Sequence, residues 1–191
     1  MLDEDVLRRL REEVISSLPR QGTHSYEHTE RVYGMCIFLG EKAGADESIL
    51  LPAALLHDIG RGGKNHALVG ARKAKSILLK LGFDKKRINM VADAISVHSF
   101  SERKTAVSVE AKVLSDADKL DALGAVGIYR AAAYSGEETR GIEEFVAHFH
   151  NKLLRLSDLF YTEGAKLMAE DRISFMRAYL DQLGKELSQK A

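Results

Sequence analysis

Apolar residues recur every three or four positions along most of this chain, and no stretch alternates apolar with polar over the length of a strand, so the pattern predicts helices throughout. In the first, over residues 3–17, Val6, Leu7, Leu10, Val14 and Ile15 face inward, and Pro19 to Thr23 read as a loop. Ser25 is placed to cap a second helix that runs to Ala43 and stops at Gly44. A third opens at Asp46 or Ser48, carries no charge from Ile49 to Leu56, and is predicted to end at Gly60. After the glycine-rich loop over residues 60–65, Asn65 is a fair cap for a helix over 66–81 that stops at Gly82. Asp84 starts the next, over 85–98, and a polar loop over 99–108 leads into one long helix over 109–134. A loop over 136–141 and two further helices, 142–169 and 171–187, complete an all-α chain.

A chain of 191 residues without an internal linker is expected to form one domain and to bury about 70 % of its unfolded surface. Cys36 is the single cysteine, which rules out an internal disulfide and a multi-cysteine zinc site and favours the cytosol. Twenty-eight basic residues balance twenty-eight acidic ones, an unfavourable composition for a dedicated nucleic-acid or membrane-surface binder. The N-terminal segment Met1-Leu2-Asp3-Glu4-Asp5 is acidic rather than signal-like, and the apolar run at 49–56 is far short of the roughly 20 residues a bilayer requires. Small-molecule partners are expected, with a homodimer plausible.

Candidate chemistry begins where that run ends, at His57-Asp58, a nitrogen and a carboxylate side by side at the mouth of a core. His28 lies in register with Val32, Met35, Cys36 and Leu39, so its imidazole projects from an apolar stripe. Three aspartates, Asp116, Asp118 and Asp121, fall within six residues and cannot all face inward. Asp118 aligns with Ala111, Leu114, Ala122 and Ala125, whereas Asp116 falls about 200° around the helix beside Lys112 and Lys119 and is expected in solvent. Asp121 shares the face of Asp118 and is a candidate to orient a ligating histidine.

His28, His57-Asp58 and Asp118 together resemble the H…HD…D signature of the HD-domain superfamily of metal-dependent phosphohydrolases. The resemblance rests on Ala53-Ala54-Leu55-Leu56-His57-Asp58-Ile59-Gly60 and Ala117-Asp118-Lys119-Leu120-Asp121-Ala122-Leu123-Gly124, and covers most of the chain. The segments Asn65 to Ala71 and His98-Ser99-Phe100 are similar to those of a small stand-alone branch. It implies a single HD-type helical bundle over residues 1–191, with a metal-binding core at about 22–135 and C-terminal helices at about 142–187 packed on it. It also implies one divalent metal held by His28, His57, Asp58 and Asp118. Two imidazoles and two carboxylates suit Mn first, with Mg, Co, Ni, Fe or Zn as alternatives. Metal-activated water would then attack a phosphate ester or anhydride.

His98 closes the apolar face of its helix, and His66 opens a helix whose free N–H groups attract anions. Both are candidates to meet a bound phosphate or a second metal, with a plain helix N-terminal role competing for His66. Asp58 is the provisional proton-transfer group alongside His66 and His98, because Arg61 stands where some relatives carry an acidic residue. Arg61, Lys64 and Lys119 are candidates for substrate phosphates, against the competing reading of Arg61 and Lys64 as a solvated basic loop. Glu27 reads as a surface acid, His24, His148 and His150 as surface histidines, and Phe100 and Tyr129 as possible base-stacking rings. The reaction that the narrower resemblance implies is hydrolysis of a nucleoside triphosphate to monophosphate and pyrophosphate. A nucleoside monophosphate phosphatase and a non-catalytic nucleotide-binding module are the alternatives.

Overall fold

In the computed structural model, which describes residues 4–19, 22–63, 65–99 and 104–189, the elements among the described residues are all helical. They are α1 (Glu4–Ser17), α2 (Tyr26–Ala43), α3 (Glu47–Leu56), α4 (His66–Lys80), α5 (Lys85–Val97), α6 (Val109–Asp121), α7 (Gly124–Glu137), α8 (Ile142–Asn151), a 3-10 helix (Leu153–Leu159) and α9 (Glu163–Leu187). Two compact units divide the chain, Met1–Asp118 and Lys119–Ala191.

The first unit is built around α3. Every residue from Ile49 to Leu56 is buried, as a helix apolar on all sides requires, and α1, α2, α4 and α5 pack against it. Of the two expected starts, Asp46 is the one used, and its side chain accepts from the Ser48 amide at 2.8 Å. Gly44 takes the left-handed conformation at the end of α2, at φ 67°. Within this unit the N-terminal part of α6 is tied to α3 by Glu110, whose carboxylate accepts from the Asp46 amide at 3.1 Å.

Three predicted boundaries are corrected. The third helix ends at Leu56, four residues early, and residues 57–60 form a tight turn. The predicted helix over 109–134 is two helices: Leu123 is extended at φ −118° and ψ 163°, and Gly124 turns left-handed at φ 70°. Gly127 then packs on the break, where a Cβ would lie 2.3 Å from the Ala122 carbonyl oxygen. The predicted helix over 142–169 stops at Asn151 and passes through the 3-10 segment to Phe160, and α9 starts at Glu163, behind the extended Thr162, and runs to Leu187 without the break predicted at 170. No proline or glycine marks that interruption, so apolar spacing alone runs through it.

In the second unit α7 packs on α8 and α9, with Phe149 at the centre in edge contact with Phe145 and stacked on Tyr179.

Candidate metal centre

His57 occupies the C-cap of α3, where the last carbonyls have no amide partner within the helix. Its Nδ1–H fills that need by donating to the Ala54 carbonyl at 2.7 Å. His98 repeats the device at the end of α5, with Nδ1–H donating to the Ile95 carbonyl at 2.7 Å. From α6, Ser115 Oγ donates to the carbonyl of His98 itself at 3.0 Å. An imidazole protonated on Nδ1 carries its lone pair on Nε2, so both histidines present an acceptor nitrogen to the interior.

His28, fully buried on the first turn of α2, brings its Nε2 to 3.2 Å from His57 Nε2. Around that pair lie Asp58 Oδ2, 3.6 Å from His28 Nε2 and 3.8 Å from His57 Nε2, and Asp118 Oδ1, 3.4 Å from His28 Nε2. Metal bonds of about 2.1–2.2 Å place neighbouring ligand atoms roughly 3.0–3.6 Å apart, so these separations suit a divalent cation with little rearrangement. At most one proton can bridge the two nitrogens, whereas a cation can bind both and offset both carboxylates. His98 Nε2, completely buried and without a hydrogen-bond partner among the described residues, faces Asp58 Oδ1 at 3.8 Å. Among the described residues three overlapping triads could hold a metal ion: His24, His28 and Asp58; His28, His57 and Asp118; and His57, Asp58 and His98.

The electrostatics agree with ligand chemistry. Burial pushes His57 and His98 below the ordinary histidine value, which keeps them neutral and free to donate a lone pair. Burial alone would raise Asp58 and Asp118. For Asp58 it is outweighed by His57, the His24 hydrogen bond, Arg61 and His28, and the carboxyl falls well below its usual range. Asp118 is lowered likewise, chiefly by its hydrogen bond and attraction to His28.

The predicted quartet of His28, His57, Asp58 and Asp118 is thus brought together inside the first unit, with His98 beside it. His66 is buried at the start of α4, its ring centroid 5.7 Å from that of His98. Arg61 reaches back to Asp58, Nε donating to Oδ1 at 2.8 Å, and so is no solvated loop residue. Lys64 and Phe100 lie outside the described residues. Lys119 belongs to the second unit, buried with its Nζ 5.2 Å and 4.9 Å from the ring centroids of Phe160 and Tyr161. Asp121 accepts from Arg130 at 2.8 Å within the same unit. Tyr129 is exposed on α7, and Glu27 and His150 are exposed as expected.

Two expectations are overturned. Asp116 is completely buried: α6 is buried nearly all round at that level, so the helical-wheel reading assigned it a solvent face that the helix lacks. His24 is no plain surface histidine. Its Nδ1 lies 3.0 Å from Asp58 Oδ2 and its ring stands edge-on to His28 at 5.6 Å. Helical spacing carried no signal for it, because His24 precedes the Ser25 N-cap of α2 and meets Asp58 only through the fold.

Comparison with known proteins gives consistent matches. The family model of the HD domain matches residues 25–123. YpgQ of Bacillus subtilis (strain 168) is 36 % identical over 173 residues, 86 % of this chain and 84 % of that protein. A crystal structure of B. subtilis YpgQ in complex with ADP superposes with a TM-score of 0.79 at 32 % identity, covering 94 % of this chain and 97 % of that one. A crystal structure of an HD-superfamily hydrolase from Bacillus thuringiensis gives a TM-score of 0.77 at 30 % identity, covering 97 % and 98 %.

Proposed function

The chain belongs to the HD-domain family, and from that premise we propose that it is a metal-dependent phosphohydrolase whose preferred reaction is cleavage of a nucleoside triphosphate to monophosphate and pyrophosphate. The observation that carries the proposal is the meeting of His28 and His57 at 3.2 Å between the Asp58 and Asp118 carboxylates. These four residues are the proposed ligands, and Mn is the preferred ion because a mixed nitrogen and oxygen set is neither the all-oxygen shell of Ca nor a thiolate site. A divalent cation held there supplies Lewis acidity, which acidifies water and offsets charge on phosphoryl oxygens.

The chain's own residues supply the remainder. His57 and His98 keep Nε2 unprotonated through their carbonyl tethers, so His57 is available as a ligand and His98 as an acceptor beside Asp58. His66, edge-on to His98 where α4 begins, is assigned to the substrate phosphates, where helix N–H groups favour negative charge, and His98 joins it there once its Nε2 has accepted a proton. Asp58 remains the candidate for proton transfer. The nucleotide assignment draws support from the ADP complex of the B. subtilis relative.

The test is to strip the protein of metal, restore Mn, incubate it with nucleoside mono- and triphosphates, and separate the products. Monophosphate and pyrophosphate are expected. Removing groups that merely support a metal costs about 10–100-fold, so Asp58→Ala and Asp118→Ala, which remove ligands, should exceed that loss. Phosphate released from monophosphates would select the phosphatase. Nucleotide binding without product would select the binding module.

A further inference from the structure

Asp58 is fully buried, and each of its oxygens meets a group from outside the proposed ligand set. His24, just ahead of α2, places Nδ1 3.0 Å from Oδ2, and Arg61, beyond the end of α3, donates through Nε to Oδ1 at 2.8 Å. Neither side chain is needed to fill the core, since 36 % of the His24 side chain and 31 % of that of Arg61 are exposed. We propose that His24 and Arg61 are positioning residues that hold Asp58 by one oxygen each and preset its carboxylate for the metal. The inference rests on the metal-centre reading given above.

A carboxylate held at one oxygen still swings about its Cβ–Cγ bond, but donors on both oxygens fix its plane. Each oxygen has two lone pairs. With one on each occupied by a donor, the other remains for the interior, where His28 and His57 Nε2 lie 3.6 Å and 3.8 Å from Oδ2, and His98 Nε2 lies 3.8 Å from Oδ1. The turn makes the Arg61 contact possible. The Arg61 amide donates to the Asp58 carbonyl at 3.0 Å, which folds the chain so that the guanidinium returns to the carboxylate three residues back. Arg61 is thereby assigned to Asp58 itself rather than to a substrate phosphate. His24 has a competing use, since it forms a possible triad with His28 and Asp58 and would then bind the ion directly.

The two uses separate by experiment, with Mn(II) as the probe and the whole chain as the sample. Affinity is read by titration in continuous-wave electron paramagnetic resonance, and the number of imidazoles coupled to Mn by pulsed measurements. Expected are a loss of about 10–100-fold in Mn affinity for His24→Ala and for Arg61→Ala, and an unchanged imidazole count. His24→Asn should recover much of the loss, because its amide nitrogen occupies the place of Nδ1. The sign for Arg61→Ala is discriminating: removing a positive charge beside a cation site strengthens cation binding by charge alone. Wild-type affinity in both alanine variants, or an Asn variant no better than Ala, would overturn the proposal. One imidazole fewer in His24→Ala would make His24 a ligand and overturn it also. A wild-type protein that does not bind Mn would instead remove the metal-centre reading, and this inference with it. Metal-free melting curves of the variants, expected within a few degrees of wild type, guard against misfolding.

Discussion

His57 and His98 carry one device at two helix ends: an imidazole that satisfies a carbonyl three residues back and turns its second nitrogen inward. The arrangement has a pH signature. Burial lowers both residues beneath the ordinary value of 6.5, so between that value and the folded one the unfolded chain takes up protons that the native state refuses. Native stability therefore rises with pH across that window and levels off above it. Asp58 and Asp118 act elsewhere: lowered beneath 3.8, they contribute stability that is present above that value and lost only as pH falls through their folded values. In EDTA, the urea midpoint is expected to be lower at about pH 5.5 than at about pH 7.5, by the histidine contribution alone. Equal midpoints would mean that these imidazoles are not held neutral in the native state. Metal affinity of the native protein should fall only below that window, as pH drops through the folded values, because a protonated imidazole has no lone pair to give.

At the scale of elements, the turn from α3 to α4 decides whether Asp58 and Arg61 can meet. Gly60 sits in it against the backbone of α4: a Cβ there would lie 2.2 Å from the His66 carbonyl oxygen and 2.3 Å from the Gly70 nitrogen. Backbone atoms of α4 cannot yield as a flexible side chain would. Gly60→Ala is expected to cost about 1–3 kcal/mol or more and to weaken metal binding with it. Gly63→Ala, whose Cβ would meet nothing within 4 Å, should stay within about 0.5 kcal/mol of wild type, the comparison being read by chemical denaturation. Equal stability of the two variants would show that the turn relaxes freely. The same backbone contact explains a boundary error: apolar spacing carried the third helix on to Gly60, whereas the chain leaves the helix at Leu56 and lets the His57 ring finish it.

Across the whole molecule, the proposed ligands all fall within Met1–Asp118, while Lys119–Ala191 has its own aromatic centre around Phe149. A cation that binds only the folded arrangement of these ligands adds stability by mass action. Mn at a hundred times its dissociation constant should add about 2.7 kcal/mol, which for a chain of this size raises the melting temperature by roughly 5–10 °C. Differential scanning calorimetry with Mn and then excess EDTA measures the shift and its reversal, and no shift would argue against a structural cation site. Among the described residues no helix is long and apolar enough to cross a membrane.

How much was legible follows from what each residue depends on. The helical class, the core run at 49–56 and the placement of His28 and Asp118 on inward faces come from local spacing, because an apolar stripe with one polar member declares its direction without a partner. His57 and His98 stood out for the same reason, as polar ends to apolar faces. Other features depend on what lies across from them. Asp116 was read as solvated because a helical wheel gives angles but not how many sides are covered. His24 was left at the surface and Arg61 was set against substrate phosphates because the Asp58 carboxylate that receives both is brought to them only by packing α2 on α3 and by the turn at Gly60. The sequence by itself determined the helical class and offered the proposed ligands as candidates, the class from periodicity and the ligand set from inward polar residues together with the HD resemblance. Only the tertiary structure decided how Asp58 is held, because its two donors come from segments more than thirty residues apart and meet only once the chain has folded.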